Sequence, residues 1–234
     1  MNSTTKGLVI REQTTGENDR LVTLLTADHG LVRAFVRGGK QLKNRRAAAT
    51  SLFCYGEFAL YRGRDAYTVD SAAPIEVFFG LRQDIDRLAA AQYFAQLSYE
   101  LAAEEQPAPE LLRLLLNTLY MTAEQKRPLR QLKAIYEMRT MTQAGYMVLA
   151  CDVCARYDGC DFYLDPVAGR LLCADCAAKE HRAPNLDPGA LYALRHICLA
   201  EDAKLFNFTL TDQSQRRLGR VCEQYVAAHL DYQP

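Results

Sequence analysis

The sequence lacks the motifs of the common nucleotide- and metal-dependent enzymes. No Gly-x4-Gly-Lys-Ser/Thr loop is present; Lys40 follows Gly38 and Gly39 but has neither the first glycine nor the hydroxyl residue. The four histidines, His29, His181, His196 and His229, are scattered and form no His-Glu-x-x-His pair. A zinc deaminase needs His-x-Glu together with Pro-Cys-x-x-Cys; here Ala150 and Leu172 stand where the prolines would be, and no His-x-Glu occurs. The acidic residues form no cluster suited to a metal-dependent nuclease. There is no net charge either: 28 basic residues balance 28 acidic ones among 234, so a nucleic-acid site must be local. The apolar run Gly7-Leu8-Val9-Ile10 is too short for a signal peptide or a membrane span, which gives the expectation of a soluble, cytoplasmic protein with no membrane partner. Repeats and low-complexity segments are also missing.

What is present begins with cysteine. Cys151-Asp152-Val153-Cys154 is followed, after eighteen residues, by Cys173-Ala174-Asp175-Cys176. Two Cys-x2-Cys knuckles at this separation are a zinc signature, because each tight turn supplies two thiolates to one tetrahedral ion. Four sulfurs close the coordination sphere, so the expected Zn2+ is structural. The intervening chain reads as a hairpin, with strands at Phe162-Tyr163-Leu164 and Arg170-Leu171-Leu172 around turn residues 165–169. Cys160 is a spare thiol in this reading and the first substitute should a ligand differ. Cys54, Cys198 and Cys222 sit in apolar surroundings as small buried hydrophobes.

The rest of the chain divides in two. Residues 7–77 carry five strand patterns, Leu8–Gln13, Arg20–Thr26, Leu31–Arg37, Tyr55–Arg62 and Tyr67–Asp70, separated by turn residues. Short turns suggest antiparallel pairing, and five such strands suggest a small closed barrel of the OB type. From Leu81 the apolar spacing becomes helical. Ala90, Phe94, Leu97 and Leu101 mark one helix, and Leu111, Leu112, Leu115, Leu116 and Leu119 a second. Leu129, Leu132, Ile135 and Tyr136 mark a third, opened by Pro128. Asp187-Pro188 reads as an N-cap with proline at the first helical position, and Asp212 as the cap of the last helix. The fold expected is therefore α+β and multidomain: an OB-fold barrel (1–79), a helical domain in two parts (80–150 and 178–234), and a four-cysteine zinc-finger insert that binds the metal (151–177).

One stretch carries the charge a nucleic acid would need. Arg33, Arg37, Lys40, Lys43, Arg45 and Arg46 fall within fourteen residues that contain no acid. On a barrel strand and its following loop they suit a phosphate backbone. Phe35, Tyr55, Tyr61 and Tyr67 are available for base stacking. The competing reading is a solvated loop whose charges protect an edge strand.

The order of parts resembles the RecO family of bacterial recombination mediators. The resemblance rests on Gly7-Leu8-Val9-Ile10, on Glu17-Asn18-Asp19-Arg20-Leu21, and on Gly30-Leu31 leading to Ala34-Phe35-Val36-Arg37-Gly38. The four-cysteine insert and Phe206-Asn207-Phe208 before the last helix extend it over essentially the whole chain. It implies a non-enzymatic DNA repair and recombination protein, nucleoid-associated, that binds single- and double-stranded DNA through the barrel. Such a protein anneals strands without ATP and assists RecA loading together with RecR. The resemblance also implies that the helical domain engages the acidic, apolar-ended tail of single-stranded-DNA-binding protein. Candidate residues for that contact are Arg127, Arg130 and Lys133 at the start of one helix, with Arg216 and Arg220 on the last helix as the other tail site. Two other classes compete: an adaptor whose zinc insert and helices bind only proteins, and a zinc hydrolase or deaminase.

Overall fold

The computed structural model describes residues 2–15, 17–38, 46–63 and 66–230, with the backbone alone at 2 and 46. These residues cluster into two compact units, Met1–Glu124 and Gln125–Pro234.

The first unit is built on five strands: β1 (Asn2–Thr15), β2 (Asp19–Thr26), β3 (Gly30–Val36), β4 (Cys54–Arg62) and β5 (Tyr67–Val77). They close as β1-β2-β3-β5-β4, with β1 pairing back onto β4. That closure is the OB arrangement. Alternation explains it. Val32, Ala34 and Val36 point inward from β3, with Val9, Val22, Leu24, Phe58, Leu60 and Val69 filling the interior, while Arg33, Phe35 and Arg37 point out. A single helical turn, α1 (Arg46–Ala49), precedes β4. One pairing differs from the expectation of antiparallel strands: β3 and β5 run parallel, through only Ala34↔Tyr67 and Phe35↔Thr68. Short local turns say nothing about a pair so distant in sequence.

Two-residue pairing leaves a seam below β3. The connection after the next helix fills it: Leu31 donates its N–H to Ala103 O at 3.1 Å, and Ala108 to Ala27 O at 2.9 Å. Gly30 has φ +59°, and a Cβ there would lie 2.2 Å from Ala103 O and 2.3 Å from Gln106 O. Glycine is required by both conformation and space. A 3-10 turn (Phe79–Gln83), α2 (Ile85–Leu101) and α3 (Pro109–Ala123) complete this unit. Leu81, where the apolar spacing turns helical, thus lies in the 3-10 turn ahead of α2, and Ile85 at the start of α2 is exposed.

The second unit holds α4 (Leu129–Gln143), the hairpin β6 (Phe162–Asp165) and β7 (Arg170–Cys173), α5 (Ala174–Lys179), α6 (Pro188–Leu199) and α7 (Asp212–His229). Asp187 caps α6 as expected, accepting from Ala190 N at 2.8 Å. The cap of α7 is Thr211, accepting from Ser214 N at 3.2 Å, and not Asp212, which is the first helical residue. Phe206 and Phe208 are buried, and their carbonyls accept from Arg127 Nε at 2.8 Å and Gln131 Nε2 at 2.9 Å. These bonds tie the segment before α7 to the start of α4.

Candidate metal centre and nucleic-acid interface

The hairpin brings the four cysteines together. β6 pairs with β7 from Phe162↔Cys173 to Asp165↔Arg170. This register sets Cys173 at the end of β7 and Cys176 in the first turn of α5. The first knuckle is tied to the same sheet. Asp152 N donates to Leu171 O, and Cys151 N to Arg156 O, each at 2.8 Å. On the free side of β6, the Asn185 side chain donates to Leu164 O and accepts from Leu164 N, both at 2.9 Å, so the edge is paired. The Sγ atoms of Cys151, Cys154, Cys173 and Cys176 all lie within 4.8 Å of one another. Cys154 and Cys173 are 3.6 Å apart. A tetrahedron with metal–sulfur bonds of about 2.3 Å has edges of about 3.8 Å. Cys160 stays outside the cluster, near Arg156 Nη1 at 3.9 Å.

The proton affinities of these thiols fit the same use. Burial raises that of Cys151, but hydrogen bonds from the backbone N–H groups of Cys173, Cys154 and Val153 outweigh it and bring its pKa to about 6. Cys176 is pushed up to about 12, first by its hydrogen bond with Cys173 and then by burial. The Cys151 thiolate forms readily and that of Cys176 does not. A cation at the centre reverses that order, because a coordinating thiol loses its proton outright. The four sulfurs can therefore hold a metal ion, and among the described residues no fifth ligand joins the group.

The basic stretch is placed in part. Arg33 and Arg37 are exposed on the outer face of β3 and its end. Gly38 follows in a turn at φ +62°, its N–H bonded to Asp19 Oδ1 at 2.8 Å. Lys40, Lys43 and Arg45, together with the side chain of Arg46, lie outside the described residues. Arg33 is paired with Glu104 at 2.8 Å. Two aromatics share this face: Phe35 is 37% and Tyr61 55% exposed. Register places them in one row across the barrel, through Phe35↔Thr68 and Thr68↔Tyr61. Tyr55 and Tyr67 are half-buried, and Tyr67 packs against the barrel interior. Sequence reading missed Arg62, which lies beside Tyr67 and pairs with Glu105 at 3.1 Å. The alternating run Tyr61-Arg62-Gly63-Arg64 was the available signal.

The partner-site residues separate. Arg127 is held by the Phe206 and Lys126 carbonyls at 2.8 Å each. Lys133 is paired with Glu223 at 2.7 Å and with the fully buried Glu137 at 3.5 Å. Burial opposes the Lys133 charge, but the two carboxylates outweigh it and raise its pKa. Arg130, on the other hand, is exposed and rests against α7, where a Cβ at Gly219 would lie 3.5 Å from its Cγ. Gly219 stands between Arg216 and Arg220, both exposed. The two sequence-derived alternatives thus meet on one α4–α7 face.

A closed five-stranded OB-type barrel followed by helices with a tetracysteine insert defines the class: an oligonucleotide-binding architecture with four sulfurs that can hold a metal ion. Residues 1–78 match the family model for the Recombination protein O N terminal region, and residues 82–234 that for its C terminal region. A "DNA repair protein RecO" of Acetivibrio thermocellus is 33% identical over 229 residues, covering 97% of this chain and 91% of that protein. Namesakes from Symbiobacterium thermophilum (29% identical, 96% and 91% covered) and Alkaliphilus metalliredigens (25%, 97% and 93%) match over the same extent. The chain belongs to the RecO family of DNA repair and recombination proteins. Among the described residues no helix is long and apolar enough to cross a membrane.

Proposed function

We propose that this protein is a non-enzymatic DNA-binding mediator that anneals complementary strands without ATP and, with RecR, assists the loading of RecA. The observation that carries the reading is the strip of Arg33, Phe35, Arg37 and Tyr61 on the outer face of the barrel. Cations contact phosphates, and aromatic side chains stack bases at about 1–3 kcal/mol each. Neither selects sequence, which suits a protein that must accept any strand. Lys40, Lys43, Arg45 and Arg46 add cations from the segment that follows in sequence. Both single- and double-stranded DNA offer the phosphates they would bind. In this reading residues 1–79 bind DNA, the segments 80–150 and 178–234 form the helical domain, and 151–177 hold structural Zn2+. The single-stranded-DNA-binding protein tail docks on the α4–α7 face through Arg130, Arg216 and Arg220. Arg127 and Lys133 shape that face from behind. A cytoplasmic, nucleoid-associated location follows from the substrate.

The test is strand annealing without ATP, with Arg37→Glu, Lys40→Glu and Lys43→Glu combined. Annealing and DNA affinity should fall together across unrelated sequences. Undiminished annealing would remove the barrel from the DNA site and favour an adaptor that binds only proteins.

A further inference from the structure

A cleft of about 680 Å3 opens between the loop after the first cysteine knuckle and α6. Its size is that of a ligand site. Tyr157, Tyr192 and Leu199 line it and are 48%, 67% and 55% exposed. Three large apolar groups around one concavity are the composition of an interaction site rather than of ordinary surface.

The cleft also holds a buried cation that no carboxylate contacts directly, Asp158 acting on it only from a distance. Arg195, on α6, is only 8% exposed. Its Nε donates to Leu149 O at 2.7 Å, which fixes the guanidinium plane. The guanidinium carbon lies 3.8 Å from the Tyr157 ring centroid and 5.3 Å from that of Phe162. Nη2 is buried and has no hydrogen-bond partner. No carboxylate among the described residues forms an ion pair with it. Ring faces stabilise a guanidinium, but they do not replace the in-plane acceptors that its donors require. A buried charge left in this state is costly, and an incoming carboxylate would remove the cost while filling the fork.

We propose that this cleft docks a segment of a partner protein that presents one carboxylate beside an apolar side chain. The carboxylate reaches the terminal nitrogens of Arg195 as Tyr157, half-exposed on its loop, swings aside. The apolar side chain is enclosed by Tyr157, Tyr192 and Leu199. Asp158 stands on the same wall, and Glu201 is already paired with Lys204 at 3.2 Å, so a further acid on the segment meets Asp158 while a neighbouring cation is favoured. The charge pattern is therefore that of a nearly neutral segment and not of a polyacidic tail.

The chain contains no tryptophan, so a tryptophan in a probe peptide reports binding by its own fluorescence. The probe is acetyl-Gly-Trp-Glu-Leu-Lys-Gly-amide, titrated with the full-length, metal-loaded protein. It should bind about tenfold or more tightly than the same peptide with Gln for Glu, the loss expected for a charge-assisted hydrogen bond. Replacing its Lys by Glu should weaken binding again. Tyr192→Ala and Leu199→Ala, both at exposed positions, should each reduce affinity, and Arg195→Gln should abolish the preference for Glu over Gln. The two exposed variants carry the test if Arg195→Gln fails to fold. No binding of the probe, equal affinity for the Glu and Gln peptides, or wild-type affinity in both Tyr192→Ala and Leu199→Ala would each overturn the proposal. Equal or tighter binding of the Lys-to-Glu peptide would do the same.

Discussion

The barrel and the cysteine hairpin are both small β-structures, and they are held together by different physics. The barrel interior contains nine fully or nearly fully buried apolar side chains from all five strands. Its closure runs through the β1–β4 pairing and the two-pair β3–β5 seam, beside which the α2–α3 connection packs. The hairpin has only four pairs of residues and a core of Phe162, Leu164, Leu171 and Leu172. A two-stranded ribbon of that size is marginal alone. Its four sulfurs supply what the core cannot. The barrel should therefore depend on packing, and the insert on a bound ion.

The largest effect should come from the insert. Structural zinc binding is worth on the order of 10–16 kcal/mol in small fingers. Cys151→Ser or Cys176→Ser should abolish metal retention and sharply lower the melting temperature, and Cys160→Ser should leave both unchanged. Metal analysis beside calorimetry decides this; full metal content in Cys151→Ser would place the ligands elsewhere. Within the barrel the comparable perturbation is Phe58→Ala, fully buried, with a loss of about 3–5 kcal/mol. Chelation should destabilise the insert while leaving barrel protection in hydrogen exchange intact. Uniform loss of protection would dissolve the contrast.

The next effect separates packing from recognition. Phe35→Ala and Tyr61→Ala remove exposed rings, so the fold should hold while single-strand affinity drops by about 1–3 kcal/mol for each. On α4 the same separation applies to two neighbouring cations. Lys133→Ala leaves the buried Glu137 without its lysine and should destabilise by about 3 kcal/mol in denaturant titration. Arg130→Glu combined with Arg216→Glu should keep stability and weaken binding of an acidic tail peptide, read by fluorescence polarisation. A stability loss in that pair and none in Lys133→Ala would reverse the roles.

The smallest effect is alkaline. Burial pushes the Cys54 thiol up to about 11, from an ordinary value of 9.0. The folded state thus holds this proton more firmly than the unfolded one. Its contribution is complete below pH 9 and is lost as pH rises towards 11. Cys198 and Cys222 shift the same way through burial. Cys54→Ala should flatten part of the decline in stability above pH 9. An unchanged slope would mean the thiol is ionised without cost.

Much of this was legible in the sequence because the signals are local. Strand-forming runs bounded by turn residues located β2, β3 and β4 nearly to the residue, and the knuckle spacing located the cysteine cluster. Asp187-Pro188 located the start of α6 because capping chemistry acts within one turn. The parallel β3–β5 seam was not legible, since its two pairs join strands some thirty residues apart. The length of β1 was missed because its first residues, Asn2 to Lys6, are polar and owe their strand conformation to pairing with β4. The separate fates of Arg130 and Lys133 were hidden for a similar reason: Glu223, on α7, neutralises one and not the other. Arg195 gave no signal at all, as its burial depends on Tyr157 and Phe162 from the insert.

The central claim is that the outer face of β3 contacts phosphates directly. The measurement is the salt dependence of single-stranded DNA affinity, compared between wild type and Arg33→Gln with Arg37→Gln. Each lost phosphate contact reduces the slope of log affinity against log salt by about 0.7 for single strands. The double variant should bind more weakly to unrelated sequences, with a slope shallower by up to about 1.4, the lower end applying if Glu104 keeps Arg33 from the strand. Wild-type affinity and slope in the double variant would contradict the account.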